Sequence, residues 1–327
     1  MTRSNPDGAQ MAGGDEVVDG SFERELATPR YAGASRGRLH RGESLGAAIL
    51  VGPYLVLLLV AGIVPTVYAV VQSLQSDSGT GFAGFANFSL IIGDFRFFTT
   101  FGNILVTLVV WIPIMMIGVV GLALLVHSSP GKLGSSMRIV YYIPGAMAGT
   151  ANFMLWLFLL NPGQSPLDFL WHGFAYTNLN QVAQPSHLPM ILAAMLFFQG
   201  AGTWLVIVNG GLNGISEEVL EAGIVDGAGP VALAWRVKLP IIKPWLGYML
   251  LLNIAYGFQM FVEPQVMSQA THGLISPQWS PNQLSYTYAY QIMNIHAAAA
   301  MSVLLLLISL GLGLLIVSRS GLFAAQD

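Results

Sequence analysis

The chain has 327 residues, of which 54% are hydrophobic and only 9% are charged, and its mean hydropathy is +0.64. Soluble globular proteins have about 25% charged residues, so this composition excludes that class and predicts an integral membrane protein. The net charge is -3, and the basic residues are scattered around apolar runs, which argues against a nucleic-acid-binding face. Without any cysteine, disulfides, thiolate metal sites and cysteine nucleophiles are excluded.

The N-terminal residues 1–45 are rich in Gly, Ser, acidic residues and Arg without apolar periodicity, and they predict a disordered cytoplasmic tail. The following apolar run is too long for a signal peptide and predicts a first membrane span. Five further runs in the predicted domain 46–320 reach the length of about 20 residues that a spanning helix needs. The six predicted spans are 47–71, 101–126, 139–160, 188–212, 244–262 and 297–317.

The basic residues predict the orientation of these spans. Twelve of the 13 Lys and Arg residues lie in the N-terminal tail, in the second and fourth loops and at the C-terminus. The first, third and fifth loops together hold only Arg96. Because loops rich in Lys and Arg stay in the cytoplasm, both termini and the fourth loop are predicted to be cytoplasmic.

The fourth loop, residues 216–244, is a charged segment between two uncharged apolar runs. Ser216 can cap a short helix whose first turn holds acidic side chains, which the helix dipole favours. Gly227 and Gly229 are expected to end this helix, and Pro230 is suited to begin a second one. Pro240 and Pro244 are expected to stop the second helix. The pattern predicts a helix, turn and helix that lie along a membrane surface.

Residues 221–240 closely resemble the EAA loop of the permease subunits of binding-protein-dependent ABC importers. The family pattern is EAA, two residues, DGA, and then a basic or aromatic stretch that ends in a β-branched residue, any residue, Leu and Pro. The matching residues are Glu221, Ala222, Asp226, Gly227, Ala228, Trp235, Arg236, Val237, Leu239 and Pro240. Gly223 and Ala234 depart from the pattern without removing a charge. A looser resemblance extends over residues 45–317.

The resemblance implies an all-α integral membrane protein with six transmembrane helices and a cytoplasmic coupling helix between spans four and five. The implied role is a non-enzymatic transport subunit of the bacterial plasma (inner) membrane. ATP and Mg²⁺ would bind to cytoplasmic ATPase subunits, whereas this chain would bind no cofactor or metal and has no GxxxxGK[ST] phosphate loop. The other implied partners are a second permease subunit, an extracytoplasmic solute-binding protein and the lipid membrane, without nucleic acid.

The resemblance also assigns residues to ATPase coupling. They are Glu221, Ala222, Gly223, Asp226, Gly227 and Arg236. Glu221 offers a carboxylate to a basic side chain of the ATPase, and the small side chains of Ala222 and Gly223 are expected to let the partner approach the helix backbone closely.

Polar side chains inside spans usually face a bundle interior or a water-filled cavity. At about 100° per residue, Gln199 and Asn209 fall on one face of the fourth span, and Tyr256, Gln259 and Glu263 on a narrow arc of the fifth. These five residues are the predicted substrate pathway. Each amide can equally be a packing contact between helices. For Glu263, at the outer end of its span, a solvated carboxylate is the favoured interpretation.

The substrate class is predicted from what the spans lack. No Lys or Arg lies within the six runs, so a neutral sugar or oligosaccharide is favoured over a strongly anionic solute. One alternative is an ABC permease for another solute, such as a glycerol ester, an amino acid or a peptide. Another is an ion-coupled secondary transporter, which would need buried acidic groups and inverted repeats. A third is a membrane scaffold or receptor without transport.

Overall fold

The computed structural model of the protein describes residues 41–76, 81–128, 132–146 and 149–320. Most of the predicted tail, residues 1–40, lies outside the described residues, and residues 41–45 already form the start of the first helix. Within the described ranges every regular element is helical, and extended residues pair only in an isolated bridge between Gln75 and Phe82.

The chain divides into two compact units, residues 1–62 and 63–327. The described part of the first unit is α1 (Arg41–Leu57), which contains Pro53, and the start of a π-helical stretch, Leu58–Ile63. The second unit begins within that stretch and holds all the remaining helices. In chain order they are α2 (Val64–Ser73), α3 (Ala86–Ile92), α4 (Phe97–Ser128), α5 (Lys132–Ala146), α6 (Gly149–Leu160), α7 (Asp168–Gly173), α8 (Leu179–Val182), α9 (Leu188–Asn213), α10 (Glu217–Val225), α11 (Pro230–Leu233), α12 (Leu239–Ile241), α13 (Lys243–Phe258), α14 (Val262–Ala270), α15 (Pro281–Tyr286) and α16 (Ile295–Ser320).

Four helices of the described chain are long and apolar enough to cross a membrane. They are Ile49–Ser73, Phe97–Ser128, Leu188–Asn213 and Ile295–Arg319. Two bent pairs raise the number to six if each pair is one span: Ile139–Gly145 with Gly149–Leu160, and Pro230–Ile241 with Lys243–Phe258. The prediction of an all-α protein with apolar spanning helices is confirmed, and the number of candidate spans is four to six.

The core of the second unit forms where α9 packs against α4 and α5. Glycines allow these helices to approach closely. A Cβ added at Gly202 of α9 would overlap the backbone of Tyr141 in α5, and one added at Gly118 of α4 would overlap the ring of Phe197 in α9. Small residues at such crossings are the usual means of close helix packing in membranes. The close approach brings polar residues of α9 beside α4 and α5.

A local ion pair just before α4 is hydrogen-bonded to the segment before α16. Nη2 of Arg96 lies 2.6 Å from Oδ2 of Asp94, and the hydroxyl of Tyr288 donates to the same oxygen at 2.7 Å. The hydrogen bond from Arg96 is the main cause that lowers the pKa of Asp94 from 3.8 to about 2, and the bond from Tyr288 adds to it. The contact therefore depends on an ionised Asp94.

Candidate functional site

A cavity of about 320 Å³ lies among α4, α5, α9 and α13. Its polar and aromatic lining consists of Trp111, Gln199, Thr203, Trp204, Asn253 and Tyr256. Gly145 of α5 completes the wall, and a Cβ added there would lie 2.9 Å from the carbonyl oxygen of Gln199. The glycine thus keeps α5 close to α9 at the cavity.

Two buried polar atoms in this wall have no hydrogen-bond partner among the residues that the structure describes. They are Oε1 of Gln199 and Nε1 of Trp111. A buried polar atom without a partner costs about 1–3 kcal/mol, so such atoms beside a cavity favour a polar ligand or water there. Asn253 differs, because its Nδ2 donates to the Met249 carbonyl at 2.7 Å.

Aromatic rings stand beside these unpaired atoms. Trp111 packs edge-on against Tyr256, with 6.1 Å between the ring centroids, and Trp204 packs in the same way against Tyr248 at 6.0 Å. Aromatic faces next to a few hydrogen-bonding groups are a common lining of small-molecule sites. The wall therefore combines an acceptor, a donor and aromatic surface, which suits a sugar.

A second cavity of about 350 Å³ shares Gln199 and Tyr256 with the first, and Thr150, Gln259 and Glu263 also line it. Glu263 is 2% exposed, and its carboxylate accepts a hydrogen bond of 2.7 Å from the Tyr256 hydroxyl. In the described part of the chain, no Lys or Arg lines either cavity or forms an ion pair with Glu263. The two cavities meet at a polar wall with a buried carboxylate.

The prediction that Tyr256, Gln259 and Glu263 share one face of the fifth span is wrong for Glu263. Helix α13 ends at Phe258, Gln259 caps it, and Glu263 lies in the first turn of α14. Glu263 therefore reaches Tyr256 across a turn of the chain and not along one helical face. The expectation of a solvated Glu263 is also wrong, because folding back of the chain buries the side chain to 2% exposure.

Asn209 is placed differently from the other predicted pathway residues. It lies on α9 ten residues beyond Gln199, about 15 Å along the helix axis, and it belongs to neither cavity lining. Its side chain is 3% exposed, and neither amide atom has a hydrogen-bond partner in the described residues. The structure thus brings Gln199, Tyr256, Gln259 and Glu263 together and leaves Asn209 apart.

The fourth loop folds as α10, a turn and a second helical run. The N–H of Ala228 donates to the Gly223 carbonyl at 3.0 Å, and the N–H of Gly227 donates to the Ile224 carbonyl at 2.9 Å. This hydrogen-bond pair, with φ of +83° at Gly227, is a Schellman motif that ends α10. Glycine is required there because other residues adopt this conformation only with strain.

The second run ends at Ile241, between the two prolines that were expected to stop it. Helix α11 continues through a π-helical stretch, Ala234–Lys238, into α12, which contains Pro240. The break falls at Ile242, and α13 leaves it at 68° to the preceding run. Pro230 does begin the run as predicted.

The residues predicted for ATPase coupling lie on one short segment. Glu221, Ala222, Asp226, Gly227 and Arg236 are exposed. Large apolar side chains are exposed beside them: Ile224 at 59%, Val225 at 86%, Val231 at 72% and Trp235 at 69%. Exposed apolar groups among charges are typical of a surface that meets another molecule.

Gly223 has a role inside the segment. It is partly buried, and a Cβ added to it would lie 2.8 Å from Cδ1 of Leu233 in α11. The small residue therefore lets α10 pack against α11. This internal contact is a further physical reason for a small residue at position 223, and both the close approach of a partner and the part of Gly223 in coupling stay predictions.

Comparisons with known proteins identify relatives of the chain. The sn-glycerol-3-phosphate transport system permease protein UgpA of Agrobacterium fabrum is 27% identical over 255 residues, which are 75% of this chain and 82% of that protein. The protein of the same name from Escherichia coli O157:H7 is 26% identical over 249 residues, 75% and 81% of the two chains. No family model matches the chain.

The fold has a solved counterpart. A chain in the crystal structure of a bacterial alginate ABC transporter, in complex with an alginate pentasaccharide-bound periplasmic protein, superposes with a TM-score of 0.73 at 17% identity, covering 87% of this chain and 97% of that one. The predicted resemblance to ABC importer permeases is confirmed. As a homologue of permease subunits, the chain is a transport subunit and not an enzyme.

Among the residues that line the first cavity, Asn253 and Trp111 were missed by sequence reasoning. Asn253 stands three residues before Tyr256 on the same helix, so the helical periodicity that selected Tyr256 was a signal for it as well. Trp111 gave no such signal, because a tryptophan in an apolar run is as often in the core as at a site. Only the packing of α4 against α13 shows that its ring N–H is left without a partner in the described chain.

Proposed function

We propose that the permease moves a neutral sugar or oligosaccharide into the bacterial cell as one subunit of an ABC importer. The observation that carries this proposal is the polar cavity among α4, α5, α9 and α13, whose wall holds an unpaired acceptor on Gln199 and an unpaired donor on Trp111 among the described residues. Sugar hydroxyls both donate and accept hydrogen bonds, and pyranose rings stack on aromatic faces, so this lining fits a carbohydrate.

The charges around the cavities favour a neutral solute. The described residues place no basic side chain in either lining and bury one carboxylate, Glu263, at the second cavity. An anionic solute would meet repulsion from Glu263 and no compensating Lys or Arg. The relatives are named for sn-glycerol-3-phosphate and alginate, the latter an acidic polysaccharide. A glycerol ester is therefore the alternative to test.

The proposed assembly couples transport to ATP hydrolysis on separate cytoplasmic subunits, which bind ATP and Mg²⁺. The coupling segment, residues 216–241, supplies the docking surface, with Glu221, Asp226 and Arg236 as its charged groups. Exposed apolar side chains beside those charges support this role. An extracytoplasmic solute-binding protein and a second permease subunit complete the importer.

The proposed topology has six membrane spans, of which the third is the bent pair Ile139–Gly145 with Gly149–Leu160 and the fifth is formed by α13. Both termini and the coupling segment are cytoplasmic, as the distribution of Lys and Arg indicates. Because the chain has no native cysteine, single cysteines can report the orientation without background. An impermeant thiol reagent outside intact cells should label Gln164→Cys and Ser276→Cys, both exposed positions, but not the equally exposed Ser216→Cys. Labelling of Ser216→Cys from outside would overturn the orientation.

The test of the function uses the intact complex in proteoliposomes. ATP-driven uptake is measured for neutral oligosaccharides, such as maltose and raffinose, and for sn-glycerol-3-phosphate, with the native binding protein present. We expect uptake of at least one neutral sugar and none of the phosphate ester. Uptake of the phosphate ester alone would refute the neutral class. A complex that transports none of a broad sugar panel while ATP is hydrolysed would refute the carbohydrate assignment.

A further inference from the structure

A buried lysine links the coupling segment to two long helices. Lys238, in the π-helical stretch between α11 and α12, is 8% exposed. Its Nζ lies 3.3 Å from Nδ1 of His127, in the last turn of α4. Nε2 of the same imidazole lies 3.2 Å from the carbonyl oxygen of Leu212, near the end of α9. One imidazole thus joins three segments that are far apart in the chain.

The chemistry of the three groups defines the direction of the hydrogen bonds. A lysine ammonium can only donate, so Nδ1 of His127 is the acceptor and the ring proton stands on Nε2, which donates to the Leu212 carbonyl. Within the described ranges, no carboxylate lies within ion-pair distance of Lys238. Burying a charged group is costly unless it is hydrogen-bonded, so the His127 nitrogen is a significant partner for this ammonium.

The two helices that meet at His127 also form the cavity. Helix α4 carries Trp111, and α9 carries Gln199 and Thr203, all of which line the first cavity. Because α-helices are stiff, a displacement at one end of α4 or α9 is carried along the helix axis. The contact between Lys238 and His127 therefore lies between the docking surface and two walls of the solute cavity.

We propose that Lys238 and His127 are positioning residues that make the coupling segment move as one body with the adjoining ends of α4 and α9. The inference rests on the proposed function, since it names the contact through which ATP-driven motion reaches the cavity. Packing alone would require only the apolar stem of Lys238. The proposal requires the ammonium and its acceptor.

The experiment measures two quantities in the same complex. One is the distance between two labels, and the other is the transport ratio, defined as the amount of solute moved per ATP hydrolysed. Nitroxide labels on Ser128→Cys and Ile241→Cys, both exposed positions outside the apolar docking patch, report the separation between the end of α4 and the coupling segment. With the contact between Lys238 and His127 intact, the distance distribution should be narrow. It should also be the same without nucleotide and with ATP and vanadate. In Lys238→Met, which keeps the stem, the distribution should broaden, and solute moved per ATP hydrolysed should fall about tenfold, since a charge-assisted hydrogen bond is worth about that factor or more.

Matched variants separate the loss of the contact between Lys238 and His127 from general damage to the protein. Lys243→Met removes a basic residue from the same loop at an exposed position and should change neither readout. His127→Phe should reproduce Lys238→Met, and the double variant should be no worse than either, because one contact is lost only once. His127→Asn keeps an acceptor near the position of Nδ1 and should restore much of the transport ratio.

The possible failures are distinguishable. An unchanged distance distribution and transport ratio in Lys238→Met would refute the proposed role of the contact between Lys238 and His127. The proposed importer function would still stand. Additive losses in the double variant would equally refute the role of this contact. Absence of ATP-driven uptake in the unmutated complex would instead refute the proposed function. The distance distribution of the isolated permease would still test whether Lys238 holds the segment to α4.

Discussion

Replacing Glu263 by Gln should weaken the discrimination of the permease against anionic sugars. The carboxylate is 2% exposed, lines the second cavity and accepts a 2.7 Å hydrogen bond from Tyr256. Gln has nearly the same shape and keeps an oxygen that can accept this bond. The substitution therefore removes the negative charge and preserves the local packing.

The size of the effect follows from the size of the cavity. A sphere of about 350 Å³ is about 9 Å across, and this diameter serves as the order of magnitude of the separation between Glu263 and a carboxylate on a bound solute. At an effective dielectric constant of about 20, two unit charges at that distance repel by about 1.8 kcal/mol. The ratio of affinities for a neutral and an acidic sugar should consequently fall about 20-fold in Glu263→Gln.

The assay compares methyl glucoside with glucuronate, measured by calorimetric binding to the purified complex without its binding protein, so that only the permease selects. Tyr256→Phe is the control, because it removes the hydrogen bond and keeps the charge, and it should leave the ratio unchanged. An unchanged ratio in Glu263→Gln, at an unaltered melting temperature, would refute the reasoning. An equal change in Tyr256→Phe would assign the effect to the hydrogen bond instead of the charge.

Three further predictions concern other parts of the molecule. Asp94→Asn should destabilise the fold by about 1 kcal/mol near neutral pH, a value discounted for solvent screening because the partner Arg96 is 25% exposed. Since the pKa of Asp94 is lowered from 3.8 to about 2, this contribution is present above about pH 4 and lost as the pH falls through about 2; melting curves of the two proteins should converge there. Glu221→Lys should insert normally but abolish ATP-driven uptake, and full uptake at normal expression would contradict its coupling role. Gln199→Ala should raise the half-saturating sugar concentration by roughly 2- to 13-fold and alter sugar preference; a lower melting temperature with unchanged preference would identify Gln199 as a packing residue.

The helices and the coupling segment could be predicted because their signals are local. Apolar runs of membrane-spanning length appear as helices in the structure, and the start of α11 at Pro230 follows from proline geometry. The end of α10 was readable in the same way, since Gly227 supplies the positive φ of the turn. Features of this kind depend on residues that are close together in the chain, so they can be predicted from the sequence.

The environment of individual side chains could not be predicted, because distant segments determine it. Glu263 is buried since α14 folds back toward Tyr256, and no periodicity within one helix encodes that reversal. Gly223 is constrained by Leu233 across a turn, which the family pattern does not reveal. Lys238 reads as one more cytoplasmic basic residue in the sequence, and only the fold places it against His127.

The π-helical stretch Ala234–Lys238 makes the length of the coupling segment critical. A π-turn holds one residue more than an α-turn, so it is the point at which an insertion is accommodated inside a helix. Deleting one residue from it would restore α-helical hydrogen bonding and rotate one flank of the run by about 100° relative to the other. The face that carries Lys238 would then turn out of register with the face of α11. A scan of single-residue deletions would therefore find this stretch intolerant.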